Sequence, residues 1–320
     1  MENNSTLAAA QRVFRRVGKA ISDSRVYWLS FLLPVVILFV SYIIFQVWPF
    51  GERSVLSLDL NAQYVYYYDY MYDVFAGKES LFYSWSRNLS GEFMGIIGYY
   101  LASPFNLLVW IFPRTMITEG LMTMMLAKAG AAGLACAFFL RKHRECGRMT
   151  TVLFSVMWAL CGFFIVQTMN PMWLDGLVAL PLVAMGVERI CDKRKFLLYI
   201  LSLVYIFVAN FYIGYMTGIF SALYFVWYLA SGKSSNRHFG EYCGSVLMYG
   251  VSSVCAILMS CFMLLPVYKS LSNGKFEFSD PDYSLAENFN IADIFIKLFP
   301  TEYDTVRMEG MPILYCGTLA

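Results

Sequence analysis

Two aspartates have the residue type and the surroundings that acid–base chemistry requires. Asp59 opens the segment DLNAQYVYYYDYMYDVFAG, and Asp175 ends the segment NPMWLD between two apolar runs. A positioned carboxylate can remove the proton of a hydroxyl nucleophile, and a carboxylate at membrane depth usually faces a cavity or a partner. Both positions also suit a structural alternative, because aspartate is favoured as the N-terminal cap of a helix. The sequence therefore presents Asp59 and Asp175 as candidate functional acids.

Other polar side chains could bind a substrate near these acids. Basic side chains would neutralise an anionic leaving group, although at a membrane surface they can also anchor the chain to lipid headgroups. For Asn210 the alternative is structural, because together with Gly214 it would allow a tight turn. The candidate binding residues are Gln63, Asp69, Asp73, Arg87, Asn106, Asp175, Asn210 and Lys269.

Several well-defined catalytic motifs are missing from the chain. The patterns GxxxxGK[ST], HExxH and GxSxG do not occur, so the sequence does not support ATP-driven transport, zinc proteolysis or serine hydrolysis. Eight cysteines form no CxxC pair, and the two histidines are His143 and His238. Structural zinc sites need clustered thiolates or imidazoles. No cofactor is certain at this point, and a divalent metal ion is left open.

The composition decides the broad class of the protein. Of the 320 residues, 59% are hydrophobic and 14% are charged, and the mean hydropathy is +0.56. Soluble domains have roughly 45–50% apolar and about 25% charged residues. Disordered chains lack this apolar content, and a net charge of +2 does not suit a nucleic-acid partner. The composition predicts a polytopic membrane protein.

Apolar runs and charge predict the topology. Five basic residues precede the first run, and the segments on their side of the membrane hold 15 Lys and Arg against 8 on the other side. The positive-inside rule then places residues 1–27 in the cytoplasm and makes residues 28–320 a transmembrane domain with outer loops 49–119 and 268–311. The partial final span indicates a fragment of a longer protein. The predicted spans lie near 28–48, 120–140, 151–169, 173–187, 196–211, 213–229 and 245–267, with a partial span from 312.

Two segments of the first outer loop have unusual patterns. Residues 59–77 have an apolar face and an acidic face at helical spacing, and Gly77 stands where a C-terminal cap belongs. This predicts an amphipathic helix in the membrane interface, with its tyrosines at headgroup level. Residues 93–113 are apolar but contain Pro104, which removes a helix hydrogen bond. We expect a re-entrant or interfacial segment here rather than a span.

Five stretches, in order along the chain, resemble the bacterial YfhO family. The resemblance runs from about Trp28 to the end and implies an all-α, polytopic transmembrane bundle of the GT-C glycosyltransferase type. In such enzymes the functional acid lies in the first outer loop, so the resemblance implies that Asp59 is the catalytic residue. Here Leu60 and Asn61 follow it in place of a second acid. The stretches are DLNAQY (59–64), YLASPFNLL (100–108), MNPMWLD (169–175), NFYIGYM (210–216) and FPTEYD…GMPILYCG (299–317).

The resemblance also implies a reaction and its partners. The chain would act on the outer face of a bacterial cell membrane and move a sugar from a polyprenyl-phosphate donor, typically undecaprenyl phosphate, to an envelope polymer such as lipoteichoic acid. Donor, acceptor and membrane lipids would be its partners. The alternatives are a lipid-linked sugar flippase or other membrane transporter, and a scaffold for another transferase. Acids gather at the outer rim and Lys128 is the clear charge within a span, which favours chemistry at the outer face.

Overall fold

The fold is a bundle of helices that could cross a membrane. The computed structural model describes residues 24–86, 90–142, 144, 146–231, 239–274 and 295. Within these residues the structure is almost entirely helical, which confirms the predicted all-α class. Helices long and apolar enough to cross a membrane are found at Ser24–Ile44, Arg114–Arg141, Arg148–Met169, Phe211–Ala230 and Gly240–Ser272. The chain is therefore a multi-pass membrane protein.

The elements follow one another with short connections. Helix α1 is Ser24–Ile44. Two π-helical segments and a small antiparallel hairpin follow α1 in the chain. The π-helical segments are Leu60–Tyr64 and Ile97–Leu101, and the hairpin consists of β1 (Tyr83–Ser84) and β2 (Gly91–Glu92). The other helices are α2 (Val65–Phe75), α3 (Met94–Ile96), α4 (Leu107–Trp110), α5 (Ile117–Lys142), α6 (Arg148–Ala159), α7 (Gly162–Val166), α8 (Asp175–Lys193), α9 (Leu197–Ala209), α10 (Phe211–Ala230) and α11 (Phe239–Gly274).

Helices α8 and α9 form the interior of the bundle. Val183 and Val187 of α8 are buried in one cluster with Leu203 of α9. Gly186 allows this approach, because a Cβ atom there would lie 2.6 Å from the Cα atom of Tyr199. The 13 residues of α9 extend only about 20 Å, which is less than the roughly 30 Å of a bilayer core. Helix α9 lies within the predicted span at 196–211 and is shorter than a bilayer core is thick.

The C-terminal ends of α5, α8 and α10 lie together at one end of the bundle. Arg144, which follows α5, donates to the carboxylate of Glu188 on α8 and to the hydroxyl of Tyr224 on α10. The hydroxyl of Tyr228 on α10 donates to Asp192 on α8 over 2.8 Å. Consecutive helices joined by short connections run antiparallel, so the turns near residues 170 and 210 lie at the opposite end. The first outer loop contacts both turns at that end, through Tyr64 with Asn170 and through Tyr99 with Asn210.

The amphipathic helix of the first loop forms as predicted but faces a different environment. Gly77 has φ +71° and ends α2, which confirms the predicted C-terminal cap. Its tyrosines were expected at headgroup level, but Tyr64 and Tyr68 are buried. The ring of Tyr68 lies 6.3 Å from that of Trp110, and Tyr64 lies 4.8 Å from Tyr100. The apolar face is therefore covered by the chain itself.

The segment 93–113 is broken as expected. Ser103 is extended (ψ 132°) between the π-helical turn and the 3₁₀ turn that begins at Pro104. Neighbouring helices cover the irregular backbone: Gly98 packs on Met263 and Val267 of α11, and Gly120 of α5 packs on Val109. Irregular backbone at membrane depth survives only when protein or a wet cavity covers it. The break therefore depends on contacts with α5 and α11.

The orientation of the bundle can be tested with single cysteines. Ser86 and Ser231 are both exposed, and they lie at opposite ends. Because the basic segments are predicted to face the cytoplasm, Ser86→Cys should react with an impermeant thiol reagent added to intact cells, whereas Ser231→Cys should react only after lysis. Native Cys243 is exposed near the start of α11 and serves as the inner reference. Labelling of Ser231→Cys in intact cells would reverse the assigned orientation.

Candidate functional site

Asp59 lies on the surface at the end of the bundle that contains the turns near residues 170 and 210. Its side chain is exposed and makes no capping hydrogen bond to the helix that follows. The capping alternative for Asp59 is therefore wrong in this structure. The described contact of its carboxylate is with the hydroxyl of Tyr64, 3.3 Å from Oδ2. The geometry leaves the carboxylate open to solvent and to a bound molecule.

Tyr64 links Asp59 to a second loop. Its hydroxyl oxygen also lies 3.1 Å from Oδ1 of Asn170, and Nδ2 of Asn170 donates to Oε1 of Gln167 over 2.8 Å. Burial raises the pKa of the Tyr64 hydroxyl, and the neighbouring Tyr100 and Asp59 raise this pKa further. Tyr64 therefore stays protonated at neutral pH and can donate to Asp59 or to Asn170.

A group of tyrosine rings lies beside Asp59. We call this group, which consists of Tyr64, Tyr67, Tyr99, Tyr100 and Tyr212, the aromatic wall. The ring of Tyr100 lies 4.8 Å from Tyr64, 5.0 Å from Tyr67 and 4.6 Å from Tyr99, and Tyr99 lies 6.3 Å from Tyr212. Aromatic rings offer flat apolar faces together with polar edges. Such a surface suits a ligand with apolar faces and hydroxyl groups, as a sugar has.

Two buried amides hold the backbone of the wall in place. Nδ2 of Asn210 donates to the carbonyl of Tyr99 over 2.8 Å, and its Oδ1 accepts from the backbone of Ile213, which caps α10. Nδ2 of Asn106 donates to the carbonyl of Tyr100 over 3.1 Å, and its Oδ1 accepts from Tyr68. Both candidates therefore position adjacent tyrosines. Asn210 thus caps α10 and also contacts the segment that carries the wall.

Asp175 belongs to a buried ion pair. Its Oδ2 lies 2.6 Å from Nζ of Lys128, and both side chains are fully buried. Its Oδ1 accepts from Ser103 over 2.7 Å and from Tyr205 over 2.5 Å, whereas Nζ of Lys128 also donates to the carbonyl of Pro171. The carboxylate makes no capping bond, so that alternative is wrong. Both carboxylate oxygens are engaged by the protein.

Three other binding candidates lie along α2 and its preceding turn. Asp69 receives two hydrogen bonds of 2.6 Å from Arg114, which also donates to Asp73 over 2.9 Å. Nε2 of Gln63 donates to the hydroxyl of Tyr67 over 2.7 Å. Arg114 was not among the candidates, and its partners are 45 and 41 residues away. No local pattern could have indicated this pairing.

The two basic candidates for binding are Lys269 and Arg87. Lys269 is exposed near the end of α11, and Arg87 lies outside the described residues. No group of three or more His, Cys, Asp or Glu side chains that could hold a metal ion occurs in the described part of the chain. Within this part of the chain, the acids near Asp59 therefore do not form a metal site with three or more such ligands.

The family model described as bacterial membrane protein YfhO matches residues 30–320. The chain belongs to the YfhO family. The uncharacterized protein YfhO of Bacillus subtilis (strain 168) is 24% identical over 246 residues, which cover 71% of this chain and 28% of that protein. The chain thus spans less than a third of the length of this relative. No solved structure matches it.

Four of the five YfhO-like stretches meet in one network. Tyr64 from the first stretch contacts Asn170 from the third. Ser103 from the second donates to Asp175 at the end of the third. Asn210 from the fourth donates to the carbonyl of Tyr99, next to the second. The fifth stretch, residues 299–317, lies outside the described residues. Segments far apart in the YfhO sequence therefore share one end of the bundle.

Proposed function

We propose that this chain carries the acceptor-activating site of a GT-C-type membrane glycosyltransferase at the extracytoplasmic face. The enzyme would move a sugar from a polyprenyl-phosphate donor to an envelope polymer such as lipoteichoic acid. The observation that carries the proposal is an open carboxylate, Asp59, beside the aromatic wall at the predicted outer end. Membership of the YfhO family supports a membrane-bound role.

The arrangement assigns a chemical role to each part. Asp59 accepts the proton of the acceptor hydroxyl. The oxygen of that hydroxyl then bonds to the anomeric carbon of the sugar. The bond from that carbon to the phosphate oxygen breaks, and the polyprenyl phosphate leaves with the electron pair. Tyr64 donates a hydrogen bond that orients the Asp59 carboxylate. Rings of the aromatic wall contact the apolar face of the sugar, and basic side chains such as Lys269 stabilise the departing phosphate.

The proposal is tested by assaying the full-length protein in vesicles with a radiolabelled polyprenyl-phosphate sugar and an envelope polymer. The expected result is label in the polymer. A transporter is the second candidate, because the buried Lys128–Asp175 pair is of a kind that marks transport pathways in membranes. A transporter would move the intact labelled donor between leaflets without any label reaching the polymer. That result would replace the transferase proposal.

The hydroxyl of Tyr64 should have a moderate effect on transfer. Tyr64→Phe removes one hydrogen bond to Asp59 while keeping the ring in the aromatic wall. A hydrogen bond to a charged group contributes about 1.5–3 kcal/mol, so the initial rate should fall by about 10–150-fold. The matched control is Tyr66→Phe, because Tyr66 is exposed on the same helix. Equal rates for the two variants would remove Tyr64 from the mechanism.

A further inference from the structure

The hydroxyl of Tyr64 has one hydrogen and two neighbours within reach. Its oxygen lies 3.3 Å from Oδ2 of Asp59 and 3.1 Å from Oδ1 of Asn170. A neutral phenol donates one hydrogen bond and accepts others through its oxygen. When its hydrogen points to one neighbour, the oxygen faces the other neighbour and needs a donor there, because two facing acceptors repel each other. Asp59 and Asn170 therefore decide between them the direction in which Tyr64 donates.

The side-chain amides of Asn170 and Gln167 can each present either a donor or an acceptor. Nδ2 of Asn170 donates to Oε1 of Gln167 over 2.8 Å, and the side chains of Asn170, Gln167 and Tyr64 are all buried. Buried polar groups in proteins are hydrogen-bonded. An amide carries an amino group and an oxygen on the same carbon, so a half-turn of both side chains exchanges donor and acceptor while the other atoms stay in place. The amide pair therefore has two arrangements that keep its internal hydrogen bond.

Each arrangement fits one protonation state of Asp59. In the first, Gln167 donates to Asn170, Asn170 donates to the Tyr64 oxygen, and Tyr64 donates to the ionised carboxylate. In the second, the protonated carboxyl group donates to the Tyr64 oxygen, Tyr64 donates to Oδ1 of Asn170, and Asn170 donates to Gln167. A donor faces an acceptor at every step of both arrangements. A mixed arrangement would set two donors or two acceptors against each other.

We propose that Asn170 and Gln167 are positioning residues that act on Asp59 through Tyr64. This inference rests on the proposed function, which makes Asp59 the base. We call Gln167, Asn170 and Tyr64 the relay. Before transfer the relay donates toward Oδ2 of Asp59 and leaves Oδ1 for the acceptor proton. Once Asp59 holds that proton, the amides turn and the relay reverses direction, so the buried hydroxyl of Tyr64 keeps an acceptor in both states.

The first test is a double-mutant cycle in the full-length protein. Asn170→Leu has nearly the same shape, but it leaves the Tyr64 hydrogen without an acceptor once Asp59 holds the proton. We expect kcat to fall about tenfold, because leaving a buried donor unpaired has an effect of that order, and we expect the KM for the donor to stay nearly unchanged. In the Tyr64→Phe background the same change should lower kcat less than about twofold, because both residues act through one hydroxyl.

The matched control for this cycle is Thr168→Val. Thr168 lies in the same short turn as Gln167, but its hydroxyl donates to the carbonyl of Ile165 over 3.0 Å, so this variant should keep its kcat. Equal falls in kcat for Asn170→Leu with and without the Tyr64 hydroxyl would make Asn170 a structural residue and overturn the relay.

The second test follows the Asn170 amide without any sugar transfer. Full-length protein carries isotope-labelled asparagine, and the side-chain amide resonance of Asn170 is identified by its loss in Asn170→Ser. Asp59→Leu removes the charge that attracts the Tyr64 hydrogen, so Tyr64 should donate to Asn170 and the amide should turn. We expect this resonance to shift between the wild type and Asp59→Leu. It should not shift when Asp59→Leu is made in the Tyr64→Phe background.

The two measurements separate the relay from the reaction. A shift that depends on Tyr64, in a protein that transfers no sugar, would support the relay and reject the transferase. Equal falls in kcat in the two backgrounds of an active enzyme would reject the relay and leave the transferase standing. An Asn170 resonance that does not respond to Asp59→Leu would overturn the relay whether or not the protein transfers sugar.

Discussion

Replacing Asp59 by asparagine should lower sugar transfer by about 10²–10⁴-fold, the usual effect of losing a general base. Asparagine has nearly the same shape, but it cannot take up the acceptor proton. Because the Asp59 side chain is exposed and makes no capping bond, the change should leave the fold intact. The measurement is the initial rate of label transfer by purified full-length protein whose elution profile matches that of the wild type.

The matched control for this prediction is Asp69→Asn. Asp69 lies on the same helical segment, but its carboxylate is held by Arg114 through two hydrogen bonds. Exposed ion pairs contribute about 0–1 kcal/mol to stability, so this variant should keep most of its activity, as should Asp73→Asn. Wild-type turnover in Asp59→Asn would reject the base assignment and favour the transporter or the scaffold.

Local sequence patterns predicted much of the fold. Apolar runs indicated the helices because 20 apolar residues are needed to cross a bilayer, and α1 at Ser24–Ile44 lies close to the predicted 28–48. Gly77 marked the end of α2 because glycine adopts a positive φ at low cost, and φ is +71° there. Pro104 marked the break in the following segment. Each of these features depends on residues that are close together in the chain.

Contacts between distant segments could not be predicted in the same way. An apolar face predicts burial but not the surface that buries it, so Tyr67 of α2 was assigned to the lipid interface although its ring packs against Phe93 and Tyr100. The partner of Arg114 is 45 residues away, and Lys128 and Asp175 are 47 residues apart. The isolated charge of Lys128 signalled that a partner must exist. It could not identify that partner.

Breaking the Lys128–Asp175 pair should give the largest loss of stability in the bundle. Removing one partner leaves the other charge buried without compensation, which costs about 3–5 kcal/mol. Asp175→Asn and Lys128→Met should each show this loss, measured as the free energy of unfolding in detergent. The double variant buries no charge, and its asparagine oxygen can still accept from Ser103 and Tyr205. Its loss should therefore be well below the sum of the single losses.

The same three variants decide what Asp175 does. Ser103 lies next to the break that precedes Pro104, and its hydroxyl donates to Asp175, so the pair supports the segment that carries Tyr99 and Tyr100. If that support is its role, transfer should fall with stability in the single variants and recover in the double variant. If Asp175 binds substrate directly, the double variant should fold and stay inactive. A double variant that is as unstable as the two single losses added together would show that the two side chains are not coupled.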